Sequence, residues 1–312
     1  MRVRLAVLFA AALVALGAAT LACAQEPVPL ALKYATGDVI TYDIGITGAG
    51  GVTAMGQSVS PLSLQGTLTL VQTVTRVFPD GSARVEARLP RAELTVRLDQ
   101  EQVRFSWADG RLRWWAGGKE SMPPQQDLSQ APLLGTPLTY TLTPTGQVKD
   151  VALPDPQLMD QLSQALPGLS LTPSAGLMGG VLPEKPVEVG ETWRTSTTLT
   201  PLGPMLPIWL TASYTLQSHE ETGGFGIAKI AGYSEARLQG SGAQFAPTPE
   251  VAITIPEIRQ TLTSTEFLNT TAGRLMRGDY DLGFSTRVSA RVQGQEQAAS
   301  VEARMRISLQ AR

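Results

Sequence analysis

The sequence predicts a mainly β protein: one large, curved antiparallel sheet, half-barrel or barrel-like, made of two related halves with one short helix packed on its apolar face. Three observations predict it. Apolar and polar residues alternate through long stretches, glycine-containing turns separate the alternating runs, and two pairs of segments resemble each other across the chain.

The alternation recurs from end to end. Ala83, Val85, Ala87 and Leu89 interleave with Ser82, Arg84, Glu86 and Arg88, and Leu210, Ala212, Tyr214 and Leu216 with Thr211, Ser213, Thr215 and Gln217. Met276, Tyr280, Leu282, Phe284, Val288, Ala290 and Val292 share one parity, opposite Arg277, Asp279, Asp281, Arg287 and Arg291. Val301, Ala303, Met305, Ile307 and Leu309 follow the same rule. Successive side chains of a strand point to opposite faces, so each run has one buried and one wetted side. Parallel strands are covered on both sides and read as continuous apolar runs, so the pattern predicts antiparallel pairing.

Turn chemistry places the hairpins. Pro79-Asp80-Gly81 separates Leu68–Phe78 from Ser82–Leu89, and Asp109-Gly110 separates Val103–Trp107 from Arg111–Trp115. Thr145-Gly146 and Ala272-Gly273 act likewise. One segment has a different period. Asp155-Pro156 opens Gln157–Leu166 with an N-cap and a first-turn proline, Leu158, Met159, Leu162 and Leu166 form a helical stripe, and Pro167-Gly168 ends it. This is the expected helix.

Gly37-Asp38-Val39-Ile40-Thr41-Tyr42 resembles Gly190-Glu191-Thr192-Trp193-Arg194-Thr195, and Tyr140–Val148 resembles Phe267–Leu275. The expected organisation is a signal peptide at 1–24 and one β-rich domain at 25–312. Its halves, about 25–166 and 188–312, are joined by a Pro/Gly/Leu-rich linker or apolar flap at 167–187.

The N-terminus reads as an export signal. Arg2 and Arg4 precede an apolar run from Leu5 to Ala19, shorter than the ~20 residues of a membrane span, and Ala22-Cys23-Ala24 is an A-x-A cleavage site. Cleavage after Ala24 leaves a Cys-free chain, while cleavage before Cys23 leaves a lipidation site and a membrane anchor. No later run is long enough to span a membrane, so the expected location is periplasmic or extracellular.

Composition excludes several classes of function. The 312 residues carry Lys+Arg 25 against Asp+Glu 27, with no basic excess for nucleic acid, and one His and one Cys cannot build most zinc sites or an internal disulfide. Gly-x-Ser-x-Gly, Ser-x-x-Lys, a Walker loop and a dinucleotide fingerprint do not occur. His219 precedes Glu220-Glu221 and reads as an exposed turn residue. Asp279 and Asp281 share one strand face, as a carboxylate pair for glycoside hydrolysis would, but Arg277 and Arg287 share that face and predict a solvated charge ladder. No catalytic residue, cofactor or metal is expected.

Apolar residues at expected strand ends and in loops are the better candidates. Trp114, Trp115, Leu177, Met178, Met205, Ile208 and Trp209 suit a greasy ligand or partner. The Pro186–Trp193 run and the Gly-Asp/Glu-aromatic strand openings resemble exported bacterial families of unknown function. The overall plan resembles the lipoprotein-carrier superfamily typified by LolA and LolB. That resemblance implies a curved antiparallel sheet wrapping a helix around an apolar ligand cavity. The expected function is non-catalytic binding of an apolar or lipid-like ligand or a lipoprotein. The alternatives are a structural or protein-interaction module of the envelope and a hydrolase using the Asp279/Asp281 pair.

Overall fold

The computed structural model describes residues 26–54, 57–99, 101–108, 110–121, 136–152, 182–199, 208–238, 243–248, 251–292 and 295–312. These residues form fifteen strands of one sheet. In chain order they are β1 (Val39–Ala54), β2 (Gln57–Val77), β3 (Ala83–Leu98), β4 (Glu101–Ala108), β5 (Arg111–Ala116), β6 (Lys119–Ser121), β7 (Leu138–Leu142) and β8 (Val148–Ala152). Then follow β9 (Thr192–Leu199), β10 (Ile208–Thr222), β11 (Phe225–Leu238), β12 (Ala243–Thr248), β13 (Val251–Asn269), β14 (Arg274–Val292) and β15 (Gln295–Ala311). Every pairing between these strands is antiparallel. The expected helix at Asp155–Leu166 lies outside the described residues, as do positions 167–181.

The spatial order is β6-β5-β4-β3-β2-β1-β15-β14-β13-β11-β10-β9, with β12 beside β13, and β7 joining β3 to β8. β6 and β9, the two ends of this order, are not paired with each other among the described residues. Two five-strand meanders, β1-β2-β3-β7-β8 and β9-β10-β11-β13-β14, follow the same order, and β15 joins them through β1 and β14.

Corresponding turns precede β1 and β9. The Gly37 amide donates to the Val74 carbonyl at 2.8 Å, and the Gly190 amide to the Leu216 carbonyl at 2.7 Å. Ala35 N donates to Asp38 Oδ2, and Glu188 N to Glu191 Oε2, each at 2.9 Å. Both glycines have φ 91°, where a side chain is strained. A bulge follows each partner, between Val74 and Arg76 and between Leu216 and Ser218. Such bulges bend a strand and raise its twist.

Two apolar clusters lie toward the turn-bearing end. The first gathers Ile40, Tyr42, Ile44, Leu70, Val74, Val85 and Tyr280, and the second Leu30, Tyr214, Leu216, Ile230 and Leu268. The segment before β1 straps across both. Val28 and Val187 exchange backbone hydrogen bonds, Leu32 N donates to the Pro144 carbonyl at 2.7 Å, and Lys33 N to the Gly273 carbonyl at 3.0 Å. Of the expected linker or apolar flap, Leu182 and Val187 are buried in the second cluster.

Met276 departs from its expected parity. It falls between the Leu268–Leu275 and Phe267–Arg277 pairs, at a bulge, and is 37% exposed while Leu275 takes the buried position.

Candidate ligand-binding face

Register shows what each face carries beyond the two clusters. Val103, Val96, Leu64, Gly48, Met305, Leu282 and Leu262 are successive partners across β4, β3, β2, β1, β15, β14 and β13. That rung is apolar over seven strands, a width of about 29 Å at ~4.8 Å per strand. Leu64, Val96, Val103, Leu262, Leu282 and Met305 are half-buried, whereas residues nearer the turns, such as Leu216 and Leu309, are fully buried. The rung of opposite parity reads Gln102, Arg97, Ser63, Ala49, Arg304, Gly283 and Thr261. The sheet therefore keeps one greasy and one polar side after its packed cores have ended.

The neighbouring rung adds aromatic surface. Phe105 pairs with both Leu94 and Trp114, and the Phe105 and Trp114 rings stack with centroids 6.5 Å apart. Trp107 is buried and donates its indole N–H to the Leu89 carbonyl at 3.0 Å, which fixes its ring.

The sequence-predicted residues separate. Trp114 and Trp115 lie near the end of β5, as expected, and adjacent strand residues cannot share a face. Trp114 is on the greasy side. Trp115 is on the polar side, with the Arg104 and Arg113 guanidinium groups 5.0 and 5.1 Å from its ring centre. Likewise Ile208, paired with Leu238, is half-buried, while Trp209, paired with Arg237, is 49% exposed. Leu177, Met178, Met205 and Cys23 lie outside the described residues.

The polar side is a ladder of ion pairs. Asp279 meets Arg277 at 2.8 Å and Asp281 meets Arg306 at 2.8 Å, so arginines occupy both acids of the expected carboxylate pair. Arg113 holds Glu120 with two hydrogen bonds, and Glu235 bridges Arg237 and Arg259. A shallow depression of about 620 Å³ on this face is lined mainly by polar side chains, including Thr47, Gln65, Thr95, Gln102, Arg104 and Arg306. His219 lies within β10, half-buried, with Nε2 3.1 Å from Thr270 Oγ1, and is not a turn residue. No group of three or more His, Cys, Asp or Glu side chains that could hold a metal ion occurs among the described residues. No helix among them is long and apolar enough to cross a membrane.

Three phenols interrupt the first cluster. Burial pushes the Tyr42 hydroxyl up to about 12, and burial likewise raises Tyr34 and Tyr140. Gln72 donates to the Tyr140 hydroxyl at 2.7 Å. At the turn before β1, the Ala35 amide, and after it Arg274, holds the Asp38 carboxyl below the usual carboxylate range.

Sequence reasoning missed the seven-strand rung because its members come from strands far apart in the chain. Each reads locally as ordinary strand core, and only the register joins them.

No protein-family model matches this chain, and no curated protein matches it. Among solved structures, it is similar to Pseudomonas aeruginosa OccK5 (OpdH), at 6% identity over 88% of this chain and 98% of that one, with a TM-score of 0.20. An outer membrane channel from Pseudomonas putida F1 gives 8% identity over 88% and 97%, with a TM-score of 0.19. A mutant porin of Rh. blastica gives 11% over 86% and 100%, with a TM-score of 0.20. Scores this low carry no inference about fold or function.

Proposed function

We propose that this chain is an exported envelope protein that binds an apolar or lipid-like ligand without catalysis. The observation that carries the reading is the Val103-to-Leu262 rung, which stays apolar and half-buried across seven strands. Contiguous apolar surface left in contact with solvent is the usual mark of a ligand or partner site. The pairing of Asp279 and Asp281 with arginines leaves the carboxylate-pair hydrolase without support. Export rests on the N-terminal signal pattern.

The test is titration of the purified protein with the fluorescent apolar probe 1-N-phenylnaphthylamine, in wild type and in Leu282→Arg. Binding by wild type, weakened at least about tenfold by a charge on the face, supports the reading. A wild type that leaves the probe in water overturns it.

A second reading, a protein-interaction module, draws on Trp209 and Tyr233, 49% and 44% exposed on the polar side. It predicts an envelope protein recovered by crosslinking in wild type and lost in Trp209→Ser.

A further inference from the structure

The depression on the polar side lies across the middle of the sheet. Along one rung Arg104, Thr95, Gln65, Thr47 and Arg306 are successive partners on β4, β3, β2, β1 and β15. That is a width of about 19 Å at ~4.8 Å per strand. Long arginines stand at its two flanks, with shorter side chains between them. On the neighbouring rung Gly45 brings no side chain between Thr67 and Ser308, which keeps the floor open. The volume of about 620 Å³ falls within the roughly 300–1,000 Å³ of small-molecule sites.

The lining is free to receive a ligand. Among the described residues, the side chains of Thr47, Gln65, Thr67, Thr95 and Ser308 make no hydrogen bond to the protein. Elsewhere in this sheet threonine hydroxyls are engaged by the backbone: Thr75 donates to the Arg84 carbonyl at 3.1 Å, Thr139 to that of Ala152 at 3.2 Å and Thr286 to that of Glu257 at 2.9 Å. The backbone of β1 pairs with β2 on one side and β15 on the other, so it has no edge to offer, and recognition here belongs to side chains.

Charge narrows the class of ligand. Arg306 is held by Asp281 at 2.8 Å, and Arg104 by Glu93 at 3.6 Å. Each flank carries both signs together, so neither an anion nor a cation gains overall. A guanidinium and a carboxylate have more hydrogen-bonding sites than these contacts use, and Thr, Ser and Gln each offer a donor and an acceptor. Sugar hydroxyls, which donate and accept at once, match such a lining. An apolar chain would strip water from these groups and replace it with nothing. We infer that this depression is a second binding site, on the face opposite the apolar rung, and that it takes a neutral oligosaccharide. The sugar hydroxyls meet Thr47, Gln65, Thr67, Thr95 and Ser308, and the two ion pairs bracket the chain. Each bond replaces one to water and contributes little alone, so affinity is weak and spread over many groups.

The test is a saturation-transfer NMR titration of the purified protein with maltotriose, cellotriose and N-acetylchitotriose. Wild type is expected to bind at least one of them with a Kd of about 1 mM or below. Thr47→Arg, at an exposed strand position, fills the depression and should weaken that binding at least about tenfold. Gln65→Ala should weaken it about threefold, and still decides the matter should Thr47→Arg fail to fold. Ser196→Arg, exposed on the polar side of β9 and outside the depression, should bind as wild type does. Leu282→Arg should leave the sugar bound, and Thr47→Arg should leave 1-N-phenylnaphthylamine bound, since the two sites lie on opposite faces.

No binding of any of the three trisaccharides overturns the inference, as does binding that Thr47→Arg and Gln65→Ala leave unchanged or that Ser196→Arg weakens equally. Tighter binding of trigalacturonic acid than of every neutral probe also overturns it, since the arginines would then be acting as unpaired cations. The apolar site proposed above stands or falls on its own titration.

Discussion

Gly37 and Gly190 allow a quantitative test of the proposal that the two halves are related. Both have φ 91°, and a Cβ built on either meets no atom within 4 Å. Replacement by alanine therefore introduces no clash, and its cost is backbone strain alone. Holding an L-residue in left-handed backbone costs about 1–2 kcal/mol, and this φ lies beyond the left-handed minimum, which puts both sites toward the upper end. Alanine also restricts the unfolded chain, which returns about 0.4–1 kcal/mol. The net expectation is a loss of about 1 kcal/mol at each position, and a fall in Tm of about 2–4 °C for a domain of this size. Thermal melts by circular dichroism and urea titrations of Gly37→Ala, Gly190→Ala and the double variant supply the numbers. The two losses should agree to within about 0.5 kcal/mol and should add in the double variant, because the turns belong to different apolar clusters. A site indifferent to alanine, beside one that loses stability, would refute the equivalence of the turns.

Leu216→Ala should cost about 2–5 kcal/mol in urea unfolding, because Leu216 has no exposed surface, whereas Leu282→Ala on the half-buried rung should cost less than half as much. The lowered pKa of Asp38 makes its ionised form stabilising above the usual carboxylate range, a contribution lost as pH falls through the depressed value. Asp38→Asn should therefore be less stable than wild type at pH 7 in thermal melts, and the gap should close on acidification. The raised phenols act with the opposite sign: their contribution is complete below pH ~10 and disappears as pH rises through about 12 for Tyr42. Absorbance at 295 nm should accordingly show Tyr34, Tyr42 and Tyr140 ionising only as the protein unfolds.

Much of the sheet was legible in the sequence, for a simple physical reason. A strand with one wetted face must alternate, and Gly81, Gly110 and Gly273, all at positive φ, supply backbone freedom where antiparallel partners reverse. The observed strands β2–β3, β4–β5, β7–β8 and β13–β14 flank these turns and the Thr145-Gly146 turn. Legibility ended where an outcome depends on distant partners. The bulge that exposes Met276 is set by its pairing with β13, and Trp115 faces polar neighbours because its strand continues the alternation through the tryptophan pair. The candidate face itself was invisible, since Leu64, Val96, Leu282 and Met305 become one surface only through register.

Cysteine accessibility along β14 tests most directly whether an apolar ligand meets only one side of this sheet. Asp281→Cys, Leu282→Cys, Phe284→Cys and Ser285→Cys would each be labelled with a water-soluble maleimide, with and without 1-N-phenylnaphthylamine. Cysteines at 281 and 285 should react quickly and ignore the probe, while those at 282 and 284 react more slowly and are shielded by it. Protection of 281 and 285, or equal reactivity at all four positions with no response to the probe, would contradict a ligand-bearing apolar face.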